Sequence, residues 1–298
     1  MAIYTTKPVE PVIKINRTLI GEGEPVYMIA EIGINHNSSM EITKRLIDAA
    51  FATRWDCVKF QKRNPDVCVP EDQKDLPKKT PWGDMTYLAY KHKMEFGLSE
   101  YDEINNYCWC KPMSWAASVW DLDSIDFLQR YNVPFIKIPS AKLTDESLIM
   151  SAMHSEKPII LSTGMSTLEE IDNAVNLLKF NQTGFAIMHC NSSYPSPPGE
   201  LNLNVIPFLK DRYGCVVGYS GHEYGLDPSV VAVALGADII ERHITLDHTM
   251  WGTDQAASLE VHAMDMLRKR ITEVRTCLGD GVKSVTESEQ PIREKLRG

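Results

Sequence analysis

Eight short apolar runs, each ending in polar or charged residues, constrain this chain more than any other feature. They occupy residues 26–33, 57–61, 115–119, 135–140, 158–164, 185–190, 215–222 and 237–244. Runs of this length suit strands buried on both faces of a parallel sheet. Helical patterns lie between most of them. Ser38 and Glu41 stand at capping-box spacing before a stripe of Ile42, Leu46, Ala49 and Ala50. A second pattern covers 124–131, and a third follows Ser166, with Glu169 at the same spacing, and runs to Leu178. A fourth opens on Asp227-Pro228, and the last, 262–278, stops at Gly279. Eight strands alternating with helices over about 220 residues predict a (β/α)8 TIM barrel. A doubly wound sheet offers no reason for eight, and neither G-x-G-x-x-G nor a Walker pattern follows any strand.

Two features lie outside that repeat. Ile13-Lys14-Ile15 and Thr18-Leu19-Ile20 flank Asn16-Arg17 and read as a short β-hairpin. Residues 1–25 are therefore expected to form an N-terminal hairpin extension, and 26–298 the barrel with a C-terminal tail. The connection between the second and third strands, 62–113, is too long for a simple crossover. It carries Pro81-Trp82-Gly83, Tyr87, Tyr90 and Phe96. An elaborated loop in a compact domain is usually functional, and a lid over the barrel mouth is expected.

Composition narrows the function classes. A net charge of -9 with no block of like charges argues against nucleic acid as a partner. A local pocket can still oppose that global sign and take an anion. No apolar run approaches the roughly 20 residues of a membrane helix. Residues 1–8 hold no apolar signal region, so a cytoplasmic protein is expected. Seven cysteines without a secretion signal are read as reduced. Cys57, Cys190 and Cys215 lie in apolar runs and are read as core. Cys108-Trp109-Cys110 lacks the second pair a zinc site needs.

In such a barrel the active site lies at the C-terminal ends of the strands. Those ends carry Glu31; Lys59 and Gln61; Ser118; Lys137 and Ser140; Ser162 and Thr163; His189, Asn191 and Ser192; Ser220 and His222; Glu241 and His243. Alternation along a strand puts Glu241 and His243 on one face and turns Arg242 toward the outer helices, as a salt-bridged structural residue. A lone serine at a strand end is commonly a turn former. A lysine among apolar residues is stranger, because burying an unpaired ammonium is costly. Lys59 and Lys137 therefore point either to an anionic ligand or to internal ion pairs with Glu31 or Glu241. His222 and His243 end neighbouring strands. They form either a metal site, since imidazole suits Mn, Fe, Co or Zn, or a hydrogen-bonded core pair. His189 is a candidate third ligand. After the last strand, Asp247, His248, Asp254 and Gln255 share a loop with Gly252 and are placed to reach over the mouth toward a polyol.

At these residues the chain resembles the sialic acid synthase family. The matching stretches are Ala30-Glu31-Ile32-Gly33-Ile34-Asn35-His36-Asn37, Val58-Lys59-Phe60-Gln61, Ile136-Lys137-Ile138-Pro139-Ser140, Leu161-Ser162-Thr163-Gly164-Met165, His189-Cys190 with Tyr194-Pro195, Gly218-Tyr219-Ser220-Gly221-His222 and Glu241-Arg242-His243. The resemblance implies a (β/α)8 barrel that condenses phosphoenolpyruvate with an N-acylated mannosamine-type sugar. The products are a nine-carbon 2-keto acid and phosphate, and a divalent metal, Mn or Mg, is required. It implies that His222 and His243 hold the metal. Lys59, Lys137, Ser140, Ser162, Ser192 and Ser220 would bind phosphoenolpyruvate, and Ser118 joins that substrate-binding set. Glu31, Gln61 and Asp254 would face the sugar, and Glu241 would sit beside the metal. Glu31, Lys59 and Glu241 are expected to carry the chemistry. A homo-oligomer, a dimer, is expected.

The chain departs from the family pattern in places. Ser38 stands where members often have glycine, and Ser192 where they have asparagine. Many members continue into a small antifreeze-like domain, which inserts an arginine into the partner's site. This sequence ends where that domain would begin, so the arginine is expected to be missing. Lys62, Arg63 or the 62–113 connection is then expected to supply the positive charge. Two other readings remain: a catalytically silent sugar- or partner-binding barrel, and a 3-deoxy-octulosonate-type synthase, whose motifs match less well.

Overall fold

All eight runs are strands, and they close into one barrel. The structure is a computed structural model and describes residues 12–297. Residues 1–11 of the expected extension, and Gly298, lie outside the described residues. The barrel strands, numbered among themselves, are β1 Tyr27–Gly33, β2 Cys57–Lys62, β3 Ser114–Val119, β4 Ile136–Ile138, β5 Ile159–Ser162, β6 Phe185–Cys190, β7 Val216–Gly221 and β8 Ile239–His243. They pair in parallel in chain order, and β8 closes on β1. The helices that follow them in turn are α1 Met40–Ala52, α2 Leu98–Cys110, α3 Leu122–Leu128, α4 Glu146–Met153, α5 Leu168–Leu178, α6 Val205–Tyr213, α7 Asp227–Ala234 and α8 Val261–Leu278.

The strand residues divide between two cores. Outward-facing Met28, Ala30, Val58, Ala117, Leu161 and Ile240 pack with Leu46, Ile104, Val175 and Leu267 of the helices. Inward-facing Tyr27, Ile29, Phe135, Ile160, Ala186 and Ile239 fill the barrel at its N-terminal end. There they meet Ile13, Ile15 and Ile20 of the hairpin Val12–Ile15/Thr18–Gly21, which plugs that end. Arg275 of α8 ties the plug down: its guanidinium donates to Gly21 O and Glu24 O and pairs with Asp238, just before β8.

Two helix starts differ from the sequence reading. The α1 cap is Ser39, not Ser38. Ser38 has φ +57, and its hydroxyl donates to Lys93 O in the insertion. The α5 cap is Thr167, in a capping box with Glu170, in place of Ser166 with Glu169. Between β2 and β3 the insertion contains a hairpin, Pro77–Thr80/Gly83–Thr86, and a helix, Tyr87–Met94. Its Trp82 and Tyr90 pack edge-on against Trp251 in the loop after β8, with ring centroids 5.4 and 5.6 Å apart. The insertion is thereby fastened to the rim of the mouth. Among the described residues no helix is long and apolar enough to cross a membrane.

Candidate active site

The strand register assembles the mouth. It sets His243 beside Glu31, Glu31 beside Lys59, Gln61 beside Ser118, Ser118 beside Lys137, and Ser220 beside Glu241. Neighbours in register on parallel strands point to the same side, so these side chains form one inward-facing set spread over successive levels, a layer of polar groups at the mouth. The β1–β2 register shifts between Glu31 and Gly33. Such a bulge re-aims side chains at the rim. Gly33 has φ +53, and a Cβ there would come within 3.2–3.3 Å of Gln61 Nε2, His243 Cε1 and Glu31 Oε1. The absence of a side chain lets three site residues converge.

The layer encloses a cavity of about 180 Å³. It is lined by Glu31, Lys59, Gln61, Ser118, Lys137, Ser140, Ser162, Ser192, Ser220, His222, Glu241 and His243, all the residues assigned a role with the family resemblance except Asp254; the candidates Thr163, His189 and Asn191 are not among its lining. Asp254 stands at the rim, its Oδ2 3.9 Å from His243 Nδ1. A larger cavity of about 660 Å³ lies beside the hairpin plug, around Tyr27, Asp56 and Arg268. It lacks the convergent buried charge of the mouth, and the C-terminal end is where such barrels do chemistry.

The two lysines form internal ion pairs and still face the cavity. Lys59 Nζ lies 2.7 Å from Glu31 Oε2, 2.7 Å from Ser118 Oγ and 3.6 Å from Glu241 Oε1. Lys137 donates to Ser162 Oγ and lies 3.9 Å from Glu241 Oε1. Ser220 Oγ donates to that same oxygen at 3.2 Å, and Gln61 Nε2 to Glu31 Oε1 at 3.1 Å. The two carboxyls are not equal. Burial, reinforced by Glu241, pushes Glu31 up to about 7 against the pull of Lys59. Burial would raise Glu241 as well, but the ammoniums of Lys137 and Lys59 and the two histidines outweigh it and hold that group low. Burial opposes the charge on Lys59, and Glu241 and Glu31 overcome it, so its pKa is raised; burial wins at Lys137, whose pKa is lowered. Glu241 is thus the standing anion and Glu31 the group that keeps its proton toward neutrality.

The histidines lie with ring centroids 5.7 Å apart. Burial, then His243, pushes His222 down to about 4, and burial lowers His243 too. Both are therefore neutral imidazoles with a lone pair to offer. His222 Nδ1 is 2.6 Å from Asn191 O, which fixes that nitrogen as the donor and Nε2 as the acceptor. Tyr194 covers that acceptor, its hydroxyl 2.8 Å from Nε2 and its ring stacked on the imidazole. His243 Nδ1 and Glu241 Oε2 are buried without a hydrogen-bond partner. Among the described residues no group of three or more His, Cys, Asp or Glu is arranged around a metal. Two neutral imidazoles supply donor chemistry of the kind a divalent cation takes, and with only two protein ligands its remaining positions would fall to water or substrate oxygens.

Other candidates lie elsewhere. His189 is turned out of the cavity; its Nε2 is 2.7 Å from Leu201 O and its ring leans on Tyr219. Asp247 caps Thr249, His248 bonds Ser258 O, and buried Gln255 bonds Thr245, so these three hold the β8 loop in shape. Lys62 is paired with Glu95 at 2.7 Å. Arg63 donates to Gln61 Oε1 and stacks over Trp120, a cavity residue. Cys190 is buried as expected, yet it lines the cavity, its Sγ 3.2 Å from Ser140 Oγ. Tyr194 and Trp120 were not singled out from the sequence as site residues. Tyr194 sits beyond the end of β6, where no strand period reaches; the only signal was its place in a matching motif.

Fold and site define a (β/α)8 barrel with a charged, ligand-sized cavity at the C-terminal mouth. The chain belongs to the NeuB family, whose model matches residues 46–283. It is 37% identical over 268 residues to N,N'-diacetyllegionaminic acid synthase of Campylobacter jejuni, covering 88% of this chain and 80% of that protein. It is 34% identical over 280 residues to N-acetylneuraminate-9-phosphate synthase of Homo sapiens, covering 93% and 78%. Among solved structures, N-acetylneuraminic acid synthetase from Leptospira borgpetersenii, in complex with citrate, matches with a TM-score of 0.87 at 30% identity, over 97% of this chain and 98% of that one.

Proposed function

We propose that the mouth condenses phosphoenolpyruvate with an N-acylated mannosamine-type sugar, giving a nine-carbon 2-keto acid and phosphate. The observation that carries this reading is the convergence of two buried ammoniums and a neutral histidine pair on one cavity. Membership of the NeuB family, with relatives named as synthases of such acids, supports it.

Lys59 and Lys137, with Ser118, Ser140, Ser162, Ser192 and Ser220, neutralise the phosphate and carboxylate and hold the enol over the acceptor. Gln61, Glu31 and Asp254 face the sugar. A divalent cation held by His222 and His243 would polarise the open-chain aldehyde. The methylene carbon of phosphoenolpyruvate bonds to the aldehyde carbon, whose oxygen takes a proton and becomes a hydroxyl. Water adds to C2 and gives up one proton; the tetrahedral centre then breaks its bond to the phosphate-bearing oxygen, its remaining hydroxyl yields its proton to the departing phosphate, and water's oxygen becomes the keto oxygen. Glu31, which holds its proton toward neutrality, is placed to exchange it with the sugar. Glu241, kept ionised between both lysines, fixes their ammoniums in place.

The test is a phosphate-release assay with Mn(II), phosphoenolpyruvate and a panel that includes N-acetylmannosamine and diacetamido-trideoxy hexoses. Release that requires one of these sugars is expected. No release with any of these sugars, with metal supplied, overturns the reading.

A further inference from the structure

Directly behind the histidine pair, on the outer side of the barrel wall, lies a second pair of charges that the reaction does not touch. Arg242 and Glu223 expose no side-chain surface, and Arg242 Nη1 donates to Glu223 Oε1 at 3.0 Å. The guanidinium also donates to Glu223 O at 2.7 Å, Gly225 O at 2.9 Å and Ser229 Oγ at 3.0 Å. The second oxygen of Glu223 accepts from the Tyr219 hydroxyl at 2.7 Å. Each ion is the chain neighbour of a histidine: Glu223 follows His222, and Arg242 precedes His243. In β8 alternation sends His243 inward and Arg242 outward; just past the end of β7, His222 lines the cavity while Glu223 meets Arg242 on the other side of the wall. Gly221 makes this possible, since a Cβ there would meet the Glu223 carboxylate oxygens at 2.7 and 2.8 Å.

Stability alone does not call for this arrangement, because a buried ion pair is commonly no more stable than well-packed apolar side chains of similar volume. What it does is geometric. One planar guanidinium at the end of β8 grips the turn that leaves β7, through a carboxylate and two carbonyls. We propose that Arg242 and Glu223 are positioning residues that set the spacing and orientation of His222 and His243, so that a divalent cation meets both imidazoles already in place. This rests on the reading of the histidine pair as a metal anchor. Groups hydrogen-bonded directly to metal ligands commonly contribute 10- to 100-fold in metal affinity, and a pair acting through the adjoining backbone is expected at the low end of that range.

Mn(II) binding, read from the EPR signal of the free ion, tests this alongside thermal unfolding of the metal-free protein. The variants are the double substitution Glu223→Met with Arg242→Met, the single Tyr219→Phe, and His243→Ala as the reference for a lost site. The double variant is expected to unfold near the wild-type temperature and to bind Mn(II) at least about tenfold more weakly. Tyr219→Phe is expected to weaken binding by a smaller factor, with the fold intact. Wild-type affinity in the folded double variant overturns the inference while leaving the metal anchor standing. If the double variant does not fold, unchanged affinity in Tyr219→Phe overturns it. A wild-type protein that takes up no Mn(II), or takes it up as well after His243→Ala, removes the anchor itself and the inference with it.

Discussion

At the N-terminal end of the strands, Tyr27, Ile29, Phe135, Ile160 and Ile239 close the barrel against Ile13, Ile15 and Ile20 of the hairpin. A few residues further along the same strands, Glu31, Lys59, Lys137 and Glu241 occupy the barrel's cross-section with charge. The first end gains by removing apolar surface from water. The second holds ammoniums and carboxylates that only partly satisfy one another, leaving Glu241 Oε2 and His243 Nδ1 without partners. The difference is one of content: apolar burial is concentrated at one end, and buried charge, where the proposed binding and reaction lie, at the other.

That division can be broken experimentally. The largest effect is expected from Lys137→Ala, which should lower kcat/KM by about a thousandfold while the fold survives. Its counterpart, Ile20→Ala, removes a fully buried side chain from the plug. It should cost about 2–5 kcal/mol of stability in a denaturant titration and leave kcat/KM unchanged at a permissive temperature. Loss of turnover in folded Ile20→Ala would erase the distinction. Next, chelation of divalent metal should lower turnover at least about a hundredfold, with Mn(II) restoring it and circular dichroism unchanged throughout. Gly33→Ala, at the boundary, should show both signatures: about 1–3 kcal/mol of backbone strain and a rise in KM for the sugar.

The smallest effect is one of pH. With Glu31 protonated, two ammoniums face one carboxylate, a net charge of one positive unit; once Glu31 ionises, the sum is zero. Sulfate, whose own charge is constant near neutrality, should therefore bind more weakly as pH rises through about 7, where Glu31 gives up its proton. Stability carries the same sign. The folded state keeps a proton that the unfolded chain releases near pH 4.5, so this contribution falls as pH climbs from there to about 7. Glu31→Gln should flatten both dependences.

Much of this was legible in the sequence, for a physical reason. A strand has a two-residue period, so a polar residue closing an apolar run declares its face, and Glu31, Lys59, Lys137, Ser220, Glu241 and His243 followed from that. The period says nothing beyond the strand, and the misses cluster there. Ser38 and Ser166 lost their capping roles to Ser39 and Thr167, each one residue on, because backbone dihedrals choose between adjacent hydroxyls. Asp247, His248 and Gln255 share a loop with Asp254, yet only Asp254 faces the mouth, because the others brace the loop. Tyr194 covers His222 from a loop with no regular repeat. The sequence leaves the lysines open between an anionic ligand and internal pairs; the structure shows the pairing, and the open cavity beside it leaves room for a ligand as well.

The most direct measurement is a crystal structure with Mn(II) and phosphoenolpyruvate, read by the anomalous signal of the metal. The expected result is a single strong peak within bonding distance of His222 and His243, with the phosphate and carboxylate against Lys59 and Lys137. A metal peak away from both histidines, or phosphoenolpyruvate seated in the cavity beside Tyr27 and Arg268, would contradict the assignment of chemistry to the mouth.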